Sequence, residues 1–167
     1  MQTQTFTDQL SRVISIPFPP KRIISLVPSQ TELLFDLGLN EEVIGITKFC
    51  VHPSEKYKSV TKIGGTKQLD MDKIRKLKPD LIIGNKEENQ KSQIEALMQE
   101  FPVWISDVND LDDAIEMMLQ IGKLVNKTLL AEQLVKEIYN GFASLKSEIN
   151  HPKSDLKVAY FIWKNPY

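Results

Sequence analysis

A single cysteine, Cys50, stands among 167 residues, so no internal disulfide can form and a disulfide-stapled secreted scaffold is excluded. An oxidising compartment is not excluded, because a chain of this length buries enough core to fold without staples. Histidine is equally scarce, with only His52 and His151. A closed zinc site needs roughly four ligands. Cys50 and His52 could supply half of one, or a thiol beside a base, but no second pair and no orienting sequence accompanies them. Phosphate loops are missing: neither GxGxxG nor GxxxxGK[ST] occurs, and the Gly64-Gly65 pair reads as a tight turn. No run approaches the ~18 apolar residues of a membrane span. Met1 to Leu10 has neither a basic n-region nor an apolar h-region, so as written the chain carries no secretory signal. Excess charge of either sign is also lacking, with 21 Lys+Arg against 22 Asp+Glu and a net charge of -1. That balance removes the electrostatic reason to expect nucleic acid or an anionic membrane as partner.

What is present is the composition of a globular domain, 41% hydrophobic and 26% charged. From residue 21 onward, short β-branched runs alternate with helical patterns. Strands are expected at Arg22 to Val27, Glu42 to Thr47, Val60 to Ile63, Asp80 to Gly84 and Pro102 to Ser106. A helix follows the first strand, capped by Ser29 or Thr31, carrying Leu33, Leu34 and Leu37 and stopped by Gly38. Others open at Asp70, at Glu87 and at Asp110, and a longer one runs from Asn126 or Thr128 through Phe142 to Ile149. The cations Lys73, Arg75, Lys76 and Lys78 are answered by neighbouring carboxylates and read as a solvated helix face. The pattern predicts an α/β, Rossmann-like lobe with a mostly parallel sheet flanked by helices. A long helix and a last strand-like run, Leu156 to Trp163, come after it. The expected divisions are a Pro-rich lead-in or edge strand over 1–20, the lobe over 21–125, the long helix over 126–151, and over 152–167 the start of a second lobe, truncated, with a terminal strand added to the sheet edge as the alternative.

No catalytic constellation emerges. Paired carboxylates such as Glu87-Glu88 and Asp112-Asp113 sit where helices are expected to begin and favourably meet the helix dipole. In a parallel sheet, ligands collect at the carboxyl ends of the strands. Four segments converge there: Pro28 to Thr31, Thr47 to Cys50, Gly64 to Thr66, and Asn85 to Glu87. Their hydroxyls, amides, single aromatic ring and backbone N–H groups suit the binding of a large polar ligand better than catalysis. Capping alone is the competing role for Ser29, Thr31 and Glu87.

Three stretches in order, RIISLVPSQTELLFDLG, GITKFCVHP and IGGTKQLDMDKIRKLKPDLIIG, closely resemble the cluster III periplasmic binding proteins, the helical backbone metal receptors that deliver vitamin B12, ferric siderophores and haem to ABC importers. The likeness covers about residue 20 to the end. It implies that the long helix is the rigid backbone joining two lobes and that KVAYFIWKNPY begins the C-terminal lobe. It implies a substrate-binding component, not an enzyme, that captures cobalamin or a ferric chelate between two lobes and hands it to an ABC permease and its ATPase. The SLVPSQTE turn and the TKFCVHP loop look most like cobalamin-binding members. Carried over by position, the ligand-facing residues are Ser29, Gln30, Lys48, Phe49, Cys50, Gly65 and Thr66. Asp72, in the helix turn before Lys78-Pro79-Asp80, corresponds to the acidic residue that docks on permease arginines; an ordinary first-turn carboxylate is its alternative role. The resemblance further implies a monomer, without a resident metal or cofactor, in the periplasm or anchored on the outer side of the membrane. A cytoplasmic chelatase-like α/β enzyme and a ligand sensor remain the competing functions.

Overall fold

Alternating side chains along the central strands decide how this chain layers. In the computed structural model, which describes residues 2–148 and 159, the strands are β1 (Thr3–Thr7), β2 (Val13–Pro17), β3 (Ile23–Ser25), β4 (Val43–Ile46), β5 (Thr61–Lys62), β6 (Leu81–Asn85) and β7 (Val103–Ser106). The helices are α1 (Pro28–Asp36), α2 (Ser54–Ser59), α3 (Met71–Leu77), α4 (Lys91–Met98), α5 (Leu111–Leu124) and α6 (Thr128–Glu148). Strands β3 to β7 form one parallel sheet in the order β5-β4-β3-β6-β7. Ile23, Leu81, Ile83 and Trp104 belong to the cluster that holds Leu33, Leu34 and Leu37 of α1 and Met117, Ile121 and Leu124 of α5. Their neighbours Ile24, Ile82, Val103 and Ile105 belong to the other, with Ile74 of α3 and Ile94 and Leu97 of α4. Because both sheet faces are covered, the strands read as continuous apolar runs.

Boundaries follow local chemistry. Pro28 opens α1, where its fixed φ suits the first turn and its missing N–H costs nothing. Neither Ser29 nor Thr31 caps that helix, contrary to expectation; Val27 occupies the cap position with no side-chain bond. Asp70 caps α3 by accepting from the Lys73 N–H at 3.0 Å, and Lys78 leaves it in the left-handed region just before Pro79. Asp110 caps α5 in the same way. Helix α4 starts at Lys91, not at Glu87. The reason is an Asx turn: Asn85 Oδ1 accepts from the N–H groups of both Glu87 and Glu88, so these residues are held out of helix. The short α2 has no counterpart among the expected helices.

Residues 1–20 are more than a lead-in. β1 and β2 pair as an antiparallel hairpin, and the buried Asp8 carboxylate binds the Ile105 N–H and Arg12. Residues 1–135 form one compact unit and residues 136–167 another, dividing within α6. In the first unit α5 and α6 approach closely at Gly122, where a Cβ would stand 2.3 Å from the Ala131 Cβ. The expected strand Leu156 to Trp163 lies outside the described residues, apart from Ala159. Among the described residues no helix is long and apolar enough to cross a membrane.

Candidate functional site

Two loops at the carboxyl edge of the sheet, after β4 and after β5, build a hollow of about 630 Å³ lined by Lys48, Phe49 and the turn from Gly64 to Asp70. The turn closes on itself: Gly65 N–H donates to Gln68 O at 2.8 Å, Gln68 N–H returns to Gly65 O at 3.2 Å, and Gly64 bridges Leu69. Gly64 has φ +100°, and a Cβ there would lie 2.4 Å from Gln68 O, so only glycine fits. The first loop is tied to the turn by Lys48 N–H donating to Gly64 O at 2.8 Å. Phe49 then lies over Gly65, where an added Cβ would be 3.1 Å from the ring. The ring remains 52% exposed. Lys48 Nζ stands 5.1 Å from the ring centroid.

Electrostatically the lining favours anions. Lys48 and Lys67 are exposed cations, Lys67 donating to the backbone carbonyl of Glu87. The carboxylate in the lining, Asp70, is already engaged by the Lys73 N–H and by Lys73 Nζ at 3.2 Å. These bonds hold its carboxyl below the usual range, the backbone donor first among them. Farther along the edge, Lys86 is paired with Asp107 at 2.7 Å, and that hydrogen bond raises its pKa.

Of the residues singled out from sequence, Lys48, Phe49, Gly65 and Thr66 come together in this hollow. Cys50 and Gln30 do not reach it. Cys50 is 1% exposed, its Sγ 3.1 Å from both Thr31 Oγ1 and Thr47 Oγ1. Gln30 is 2% exposed, and its Nε2 donates to Gly84 O at 3.1 Å and to Ser106 Oγ at 2.6 Å. Ser29 sits on the first turn of α1, away from the hollow's lining. His52 is exposed while the Cys50 thiol faces inward, so the two do not form a half-site. Among the described residues no group of three or more His, Cys, Asp or Glu could hold a metal ion. Asp72 lies on the first turn of α3 with its side chain 84% exposed, 3.2 Å from Arg75. Sequence reasoning missed Lys67, Gln68 and Asp70, which follow Thr66 in the same turn. The Gly64-Gly65 pair was the signal available, because a tight turn places the residues on both its arms at one rim.

Comparison with known proteins agrees with this architecture. The pattern of the periplasmic binding protein family matches residues 23–166. The chain is 29% identical over 170 residues to the uncharacterized ABC transporter substrate-binding lipoprotein YvrC of Bacillus subtilis (strain 168), covering 97% of this chain and 52% of that protein. It is 27% identical over 144 residues to a vitamin B12-binding protein of Vibrio campbellii (strain ATCC BAA-1116), covering 86% and 51%. The solved structure of the siderophore-binding protein BauB, bound to two molecules of acinetobactin and ferric iron, superposes with a TM-score of 0.78 at 26% identity, over 90% of this chain and 56% of that one. The chain thus spans about half the length of the curated relatives it matches.

Proposed function

Since the chain belongs to the periplasmic binding protein family, we propose that it supplies one wall of a ligand cleft in the substrate-binding component of an ABC importer. The cargo is cobalamin or a ferric chelate, held between two lobes and passed unchanged to the permease and ATPase. The observation that carries this reading is the half-exposed Phe49 ring on Gly65, flanked by Lys48 and Lys67, at the mouth of a 630 Å³ hollow. An aromatic platform with adjacent cations suits a large ligand with apolar and anionic parts. Of the two cargoes, the lysines favour the anionic one, a ferric chelate. Lys48, Phe49, Gly65 and Thr66 then touch the ligand.

Asp72 is the proposed contact with permease arginines, since it is exposed and stands at the start of a helix. Its bond to Arg75 must loosen for that contact to form. The protein would work on the outer side of the membrane, as a monomer. A chelatase-like enzyme or a sensor has less support, because the chain belongs to a family of periplasmic binding proteins.

The test is titration of the full-length protein with cyanocobalamin and with ferric acinetobactin, followed by intrinsic tryptophan fluorescence. Saturable binding of one probe is expected, with the ferric chelate the tighter. Binding of neither by a folded full-length protein would falsify this assignment of cargo.

A further inference from the structure

Two amide side chains outside the hollow hold its glycine turn in place. The turn's own hydrogen bonds fix its shape, but its position against the sheet depends on outside ties. On the inner side Lys48 N–H donates to Gly64 O. On the outer side Lys67 donates to Glu87 O, and further ties come from Asn89, just before α4, and Gln93, on its first turn. Asn89, 5% exposed, donates through Nδ2 to Thr66 O at 3.1 Å and to Leu26 O at 3.5 Å, while its Oδ1 accepts from the Asn85 N–H at 2.9 Å. Gln93 accepts from the Leu69 N–H at 2.7 Å and donates from Nε2 to Lys67 O at 3.1 Å. A primary amide pairing with a carbonyl and an N–H two residues apart copies the pattern of an adjoining strand. The ordinary role for a glutamine at this helical position is to reach back to the cap residue's backbone N–H. Gln93 instead spends both ends of its amide on the turn and shares Nε2 with the Gln90 side chain. Gly84 makes room for the arrangement, since a Cβ there would stand 2.7 Å from Asn89 Oδ1.

We propose that Gln93 and Asn89 are positioning residues for the binding wall: they seat Thr66 and Lys67 in the geometry that meets the ligand, without touching it. This rests on the binding function proposed above. A turn with fewer outer ties samples other positions more often, and affinity falls by the fraction of time it spends in them.

The experiment uses the full-length protein and the variants Gln93→Met, Asn89→Ala and, as a control on the same helix, Glu95→Gln. Gln93→Met keeps the side-chain length and removes both hydrogen bonds. It is expected to raise Kd for the probe that the wild type binds, cyanocobalamin or ferric acinetobactin, about five- to tenfold. Amide hydrogen exchange at Leu69 should speed up by a similar factor, with the thermal midpoint lowered by only a few degrees. Asn89→Ala should raise Kd further and also lower the midpoint, and Glu95→Gln should change nothing. A wild-type Kd in Gln93→Met, or unaltered exchange at Leu69, overturns the proposal while the binding function stands. Binding of neither probe by the wild type removes both together.

Discussion

The carboxyl edge of the sheet has two halves built from the same kinds of residue and put to opposite use. Beyond β3, β6 and β7 the side chains of Ser25, Gln30, Thr31 and Ser106 are buried and bonded within the fold: Thr31 Oγ1 donates to Val27 O at 2.9 Å and lies 2.7 Å from Ser25 Oγ, and Gln30 Nε2 donates to Ser106 Oγ and Gly84 O. Beyond β4 and β5 the edge stays open, with Phe49, Lys48 and Lys67 exposed around a glycine turn. The difference is one of reach. In the first half partners inside the fold meet most of these groups, the buried Gln30 Oε1 excepted, so burying them costs little. In the second, long side chains extend past the end of a two-residue strand and, among the described residues, no element covers them.

Four changes test whether the two halves differ in this way. Gly64→Ala should have the largest effect, because a Cβ at φ +100° meets Gln68 O. A loss of about 2–3 kcal/mol is expected in urea unfolding, together with loss of the hollow's shape. Phe49→Ala removes the platform from the open half alone: Kd should rise about 30-fold in fluorescence titration, with the thermal midpoint unchanged. Thr31→Val acts on the closed half. Leaving Ser25 Oγ and Cys50 Sγ short of a partner should lower unfolding stability by about 1–2 kcal/mol, with Kd within about twofold of wild type. An equal loss of affinity in that variant would erase the distinction between the halves. The smallest effect is on pH dependence. Asp70 has a folded-state pKa below its ordinary value, so its stabilising contribution is complete above about pH 4 and is lost as pH falls through the lowered value. Asp70→Asn should therefore flatten the acid limb of the stability curve measured below about pH 4.

The α/β alternation, the five sheet strands and most helices are legible in the sequence, because continuous apolar runs and helical spacing record burial directly. The start of α4 is not, since an Asx turn at Asn85 competes with helix for Glu87 and Glu88 and leaves no periodic trace. The N-terminal hairpin is half legible: the prolines indicate extended chain, but its pairing depends on register between β1 and β2. Within the site, Lys48, Phe49, Gly65 and Thr66 can be named from their loops. Cys50 cannot be distinguished from its neighbour, because whether a side chain faces the ligand or the core depends on which hydroxyls wait behind it.

Patterning, turn residues and short motifs are local properties of the chain, so the lobe's layered architecture, the family resemblance and the loops of the candidate site could be read without coordinates. Which polar residues are consumed inside the fold and which stay exposed at the sheet edge followed only from how the chain packs. Packing also decided that Gln93 and Asn89, far along the chain from the glycine turn, hold that turn in place. Hydrogen bonds of that kind depend on distance in space, and no spacing along the chain encodes them.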